Sequence, residues 1–200
     1  LNIDTKPSVY VLIVLLAIKS VGETISMAPS IELTKQKVLD AFPDSAEKGE
    51  QEFLRNQTVN GLITCIVGMV VCSKYGIASD HHGRVFVIKI CAFFSCVRVL
   101  IDLYLYSTHF KYSFFLFNFW KGIGLLDGDI MDMKIISASY VSDIVSEKDR
   151  LMYLSLIGSA AAGISVVSPI VSSFVTATFG DYQVLYLTAF FYAVFFLGVS

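Results

Sequence analysis

Apolar residues in this chain gather into long runs instead of recurring at the spacing of a half-buried helix or strand. Six stretches, 8–27, 57–75, 85–106, 112–136, 152–178 and 182–200, are apolar over most of their length. Each is close to or beyond the about 20 residues a helix needs to cross the hydrocarbon core of a bilayer. Lipid offers no partners to backbone N–H and C=O groups, so a spanning segment must close its hydrogen bonds within itself, as an α-helix does. A membrane barrel would show short alternating strands. The pattern therefore predicts an all-α membrane protein, a bundle of six transmembrane helices over residues 1–200. Between the first two runs lies the one long polar segment, 32–56, with Glu47, Lys48, Glu50 and Glu52 near its middle. It reads as a solvent loop with some helical content on the non-cytosolic side. The remaining connections are short, which predicts antiparallel neighbours.

Composition agrees and narrows the function. Apolar residues make up 55% of the chain and charged residues 16%, so water is not the solvent for most of it. A net charge of −2 without a basic stripe gives nucleic acid no electrostatic footing. Cys65, Cys72, Cys91 and Cys96 fall inside the second and third runs and read as thiols buried in the spans, not as a disulfide or zinc set. The first run carries Lys19 and Glu23 and lacks a small-residue cleavage site, which argues against a cleaved signal peptide. The chain opens on Leu1 and its last run ends at Ser200 without a polar exit, so a fragment of a longer protein is expected. Lys6, Lys74, Arg84, Lys89, Lys134, Lys148 and Arg150 fall on one side of the predicted bundle. Lys35, Lys37, Lys48, Arg55 and Lys111 fall on the other, and the excess favours a cytosolic amino terminus. Asn56-Gln57-Thr58 has the form of a glycosylation acceptor at Asn56, which would put segment 32–56 outside the cytosol.

Charges inside the spans point to a pathway, because each costs about 2.5–3.5 kcal/mol near the bilayer centre unless something offsets it. Lys19 and Glu23 stand one turn apart in the first run, and Arg98 and Asp102 one turn apart in the third, so each pair can share a helix face. The fourth run adds Lys121, Asp127, Asp129 and Asp132. The expectation is a polar cavity lined by these groups, with Glu23, Asp102 or Asp127 accepting a proton. The alternative is a set of structural pairs, or side chains that reach to an interface.

The most specific stretch joins the second and third runs and reads Gly76-Ile77-Ala78-Ser79-Asp80-His81-His82-Gly83-Arg84-Val85. Glycine permits a sharp reversal between helix ends, while Asp80 and Arg84 can pair with each other or with neighbouring helix ends and so latch one conformation. In its Gly76, Asp80, Gly83 and Arg84 this loop resembles the signature of the major facilitator superfamily. It departs from that pattern at His81 and Val85, where a basic residue is usual. Two other readings are a metal-binding string in Asp80-His81-His82, which alone cannot close a metal shell, and an ordinary solvated loop. The stretch Ala138-Ser139-Tyr140-Val141-Ser142-Asp143 followed by Arg150 resembles the junction of the family's fourth and fifth helices. That resemblance implies a cytosolic charge network of Asp143 and Arg150 with the signature loop. In the fifth run Gly158, Ala162, Ser165, Ser168 and Ser172 recur at steps of three or four beside Pro169, a small-residue face suited to close packing. Ser168-Pro169 stands where the antiporter motif has Gly-Pro, and Asn118 where proton antiporters carry Arg. Gly124 and Gly128 form a further close-packing pair.

The resemblance, nearest to fungal members related to tetracycline-resistance transporters, implies the amino-terminal half of a twelve-helix fold, with a second six-helix half beyond residue 200. It implies a secondary active transporter of a small molecule, coupled to protons by antiport or symport, that works by alternating access. No cofactor, metal or covalent chemistry is implied, and no nucleophile–base pair speaks for an enzyme. The partners would be the substrate, protons, the lipid bilayer and the carboxy-terminal half. The setting would be multi-pass integral membrane, in the plasma membrane or an organelle. A non-transporting receptor or scaffold that kept the fold is the alternative from another class.

Overall fold

The computed structural model describes residues 9–127 and 130–200, apart from the side chains of 130–134. Expectations at Lys6, Gly128 and Asp129, and those resting on the side chains of Asp132 and Lys134, lie outside the described residues. Helices follow in the order α1 Val9–Asp40, α2 Ala46–His82, α3 Arg84–Tyr106, α4 Phe114–Gly124, a 3-10 turn Leu125–Asp127, α5 Ile130–Ile144, α6 Glu147–Phe179 and α7 Asp181–Val199. Among the described residues there is no strand. Four helices, α1, α2, α6 and α7, are long and apolar enough to cross a membrane. α3 has the length, but Lys89, Arg98 and Asp102 stand in it.

Two expectations about element boundaries change. Segment 32–56 is not a loop: α1 runs on to Asp40, α2 starts at Ala46, and only 41–45 turn. Glu, Lys, Gln and Leu, which fill this segment, are good helix formers in water, so loss of hydrophobicity marks the end of the lipid and not the end of the helix. At 1.5 Å per residue α1 is about 48 Å long and α2 about 55 Å, well beyond the about 30 Å core. The fourth run, expected as one helix over 112–136, is interrupted instead. α4 ends at Gly124 and the 3-10 turn carries Asp127, while α5 continues past the run to Ile144.

Short links set the topology. α2 passes into α3 through Gly83 alone, and α6 into α7 through Gly180 alone, with φ of 90° and 92°. At these two positions a side chain would clash with the backbone, and glycine alone adopts the turn at little cost. The Gly83 and Gly180 N–H groups still cap their helices, donating to Ser79 and Thr176 carbonyls at 3.1 and 2.9 Å. Antiparallel neighbours result, and contacts define two ends. At one, Arg84 meets Asp143 and Lys89 donates to the Ser200 carbonyl at 2.9 Å. At the other, Lys37 donates to the Ser107 carbonyl and Tyr182 to the Leu103 carbonyl at 2.9 Å.

α1 is central and packs on α7, α6 and α2, while α3 packs on α7 and α4. Near the Gly83 end an apolar layer gathers Leu12, Leu15, Ile88, Cys91, Tyr140 and Phe195. Near the opposite end Leu105, Tyr106, Phe110, Phe117 and Leu185 form a second. Between these layers α1 carries Lys19 and Glu23, and α3 carries Arg98 and Asp102. α1 and α6 are joined by a backbone device: Pro29 has no N–H to give the Ile25 carbonyl four residues earlier, and Ser172 Oγ donates to that carbonyl at 2.7 Å.

The small-residue face expected on α6 is turned differently. Gly158, Ala162, Ser165 and Pro169 are exposed, whereas Ile157, Ala160, Ala161 and Ile164 face α1 and Ser168 and Ser172 are buried. Both faces of this helix carry small residues, so their spacing alone does not choose between them. Gly124 does permit close approach: a Cβ there would lie 3.3 Å from Arg98 Cγ. Of the cysteines, Cys91 is buried, but Cys65 lies on the exposed face of α2.

Candidate functional site

Among the described residues the middle of the bundle holds three cations and three anions, matched one to one. Lys19 donates to Glu23 Oε1 at 2.5 Å, with both side chains almost wholly buried. Arg98 Nη1 meets Asp127 Oδ2 at 3.0 Å, the aspartate having no exposure. Lys121 Nζ meets Asp102 Oδ1 at 2.6 Å. The first pair was expected from spacing, but the expected sharing of a face by Arg98 and Asp102 does not become a bond. Arg98 pairs across to the 3-10 turn, and Asp102 pairs across to α4. The reason is electrostatic, because a bond between Arg98 and Asp102 would leave Lys121 and Asp127 buried without counter-ions, and breaking a buried pair costs about 3–5 kcal/mol.

The break after α4 supplies this arrangement. It brings Asp127 to Arg98, and Tyr75 of α2 donates its hydroxyl to the Leu126 carbonyl at 2.5 Å. Lys19, Glu23, Arg98 and Asp127 lie within electrostatic reach of one another, and the buried Tyr192 of α7 sits in the same field. One oxygen of each acid, Glu23 Oε2 and Asp127 Oδ1, has no hydrogen-bond partner among the described residues.

A cavity of about 510 Å³ opens beside this layer. α1 contributes Glu23 and Thr34 to its wall, α2 Asn56 and Asn60, α3 Asp102 and Tyr106, and α4 Lys121. A lobe of about 150 Å³ continues behind Asn60, Thr64, Asp102 and Lys121. The Lys121 ammonium lies 4.9 Å from the centre of the Tyr106 ring, a cation–π contact that adds to its pairing. Tyr106 in turn meets Thr34 Oγ1 at 2.9 Å.

Asn56 belongs to this wall, which corrects its reading as a glycosylation acceptor. It lies inside α2 with 1% exposure, and a side chain enclosed by packed helices offers no room for a glycan. Neither its Nδ2 nor its Oδ1 has a partner among the described residues. Leaving a buried polar group unsatisfied costs about 1–3 kcal/mol. Asn60 stands one helical turn on, and Tyr192 lies across the bundle; the sequence reading passed over both as site residues. A signal for the first existed, since Asn56, Asn60 and Thr64 recur every four residues, but it is visible only once α2 is known to begin before Asn56.

At the Gly83 end Arg84 joins three elements. It reaches Asp80 Oδ1 on α2 at 2.8 Å, Asp143 Oδ2 on α5 at 3.2 Å, and donates to Ser79 Oγ at 2.8 Å. Arg150 does not join by an ion pair among the described residues; it donates to the Ser142 carbonyl at 3.0 Å and so caps the end of α5. Gly76 sits within α2 with open space where a side chain would be, so the reversal rests on Gly83. His82 stacks on Phe86 at 5.2 Å. Among the described residues no group of three metal-ligating side chains forms, at Asp80-His81-His82 or elsewhere.

No family model matches the chain, and no solved structure does. Over 167 residues it is 27% identical to an uncharacterized membrane protein of Saccharomyces cerevisiae, an alignment that covers 80% of this chain and 30% of that relative. Together with four helices of spanning length and composition, this likeness establishes a multi-pass integral membrane protein. The chain spans less than a third of the relative's length.

Proposed function

We propose that the chain is the amino-terminal six-helix half of a major facilitator superfamily transporter, moving a small molecule by alternating access with proton coupling. The observation that carries this reading is Arg84, which holds the ends of α2 and α5 together through Asp80 and Asp143. All three side chains have solvent contact, where a single ion pair contributes about 0–1 kcal/mol. A tie of that size can bias a two-state equilibrium without locking it, as a cycling latch requires. α4 and α5 count in this reading as one broken crossing, which with α3 makes six. The cavity beside the charge layer is the substrate chamber, Glu23 and Asp127 the acids with a spare oxygen for a proton, and a second half closes the chamber from the other side. No covalent chemistry enters. Full-length protein in proteoliposomes with an imposed pH gradient tests it: solute flux should follow the gradient and fall severalfold in Arg84→Ala. Flux that ignores the gradient and this substitution would overturn the reading.

The matched charges favour a second reading. Every described ionisable group of the layer already has a partner, which also suits a receptor that binds a ligand without cycling. Saturable binding with no flux in the same liposomes would select it.

A further inference from the structure

We propose that the cavity wall formed by Asn56 and Asn60 of α2 binds a neutral polyhydroxylated solute, held through the Asn56 carboxamide. The inference deepens the transporter reading by naming the substrate class of its chamber. Charge is the first argument. Among the described residues the three cations and three anions of the layer are already matched at 2.5–3.0 Å, so this part of the wall offers a charged solute no spare counter-ion. A solute with net charge would bring a buried charge without a counter-ion, and a zwitterion would have to displace bonds already made.

Hydrogen-bonding capacity is the second argument. Asn56 is nearly fully buried in the chamber wall, yet both its donor and its acceptor lack partners among the described residues. A carboxamide that offers one donor group and one acceptor is complementary to hydroxyls, each of which is also donor and acceptor. Asn60 continues the same α2 face four residues on and lines both the chamber and its lobe. The rings of Tyr106 and Phe117 also line the chamber and offer apolar surface to the C–H groups of a solute.

The test is equilibrium binding to the full-length protein in nanodiscs, read by titration calorimetry and thermal unfolding. The probes are D-glucose and mannitol as neutral polyols, alanine as zwitterion, citrate as anion and choline as cation. At least one polyol should bind saturably and raise the melting temperature, while the charged probes do not. Asn56→Leu removes an unsatisfied amide, so it should leave the ligand-free protein as stable or more stable, and weaken polyol binding by about tenfold or more. Asn56→Gln should retain part of the affinity. No polyol binding, preferential binding of citrate, choline or alanine, or unchanged polyol affinity in Asn56→Leu would each overturn the proposal. So would a lower ligand-free melting temperature in that variant, which would mark Asn56 as a packing residue. Flux is a separate readout: a polyol bound but not moved sinks the transporter reading alone, whereas a charged solute moved along the pH gradient sinks this one alone.

Discussion

Ser172 shows how one hydroxyl can hold two spans together. Pro29 leaves the Ile25 carbonyl without its helical donor, and lipid or packed side chains cannot replace it. Ser172 Oγ fills the gap from α6 in a buried bond. Ser172→Ala should therefore destabilise the protein by about 1–2 kcal/mol, measured by denaturant unfolding in detergent. Ser173→Ala, at an exposed position whose hydroxyl bonds only within its own helix, should change stability by less than about 0.5 kcal/mol. Equal effects from the two would remove the interhelical role. Gly83 acts through its backbone conformation instead. Its φ of 90° and ψ of 153° make Gly83→Ala cost about 1–3 kcal/mol although open space surrounds the missing side chain.

Between elements, the charge layer ties α3 to α4 and to the turn that follows it. A double-mutant cycle on Asp102 and Lys121 should give a coupling of at least about 0.5 kcal/mol, and the cycle on Arg98 and Asp102 a smaller one, because only the first pair is bonded. Stability in detergent micelles is the measurement, and the reverse order would mean that the helices pair as their linear spacing suggests. Much at this scale was legible in advance. The hydrophobic runs gave the four helices of spanning length and composition, and one-turn spacing gave the Lys19–Glu23 pair. What linear pattern could not supply was the rotation of one helix against another, which sets partner choice. Arg98 and Asp102 thus looked like each other's counter-ions, and the small residues of α6 did not tell which of its faces meets α1. The helical stretch across 32–56 was missed because a hydropathy drop reports the solvent, not the backbone. The break after Gly124 was hidden because Leu125 and Leu126 keep the run apolar through it.

For the whole molecule, one-residue links between long helices fix which termini share a side. Asp80 and Lys148 belong to the end where α2 meets α3 and α5 meets α6, and Lys48 to the opposite end beyond the α3–α4 connection. In a background with Cys65, Cys72, Cys91 and Cys96 replaced, single cysteines at 80 and 148 should react with an impermeant maleimide from the same face of sealed, oriented vesicles. A cysteine at 48 should react from the other face. Labelling of 80 and 148 from opposite faces would dismantle the antiparallel order. The two-ended grouping of the described basic residues drawn from sequence reappears here, since antiparallel alternation of successive helices is a counting rule that survives errors in individual boundaries.

The cross-pairing of α3 also governs how the polypeptide is made. α3 brings Arg98 and Asp102 toward the bilayer before their final counter-ions Asp127 and Lys121 have been synthesised, with only each other as partners, although a charge near the bilayer centre costs about 2.5–3.5 kcal/mol unless it is offset. A nascent chain halted before Phe114 would hold this segment in the membrane weakly, and its secure lodging waits for the next hydrophobic stretch to emerge. Insertion of α3 is therefore expected to depend on the segment that follows it, and substitution of Lys121 or Asp127 should lower the yield of correctly inserted chain.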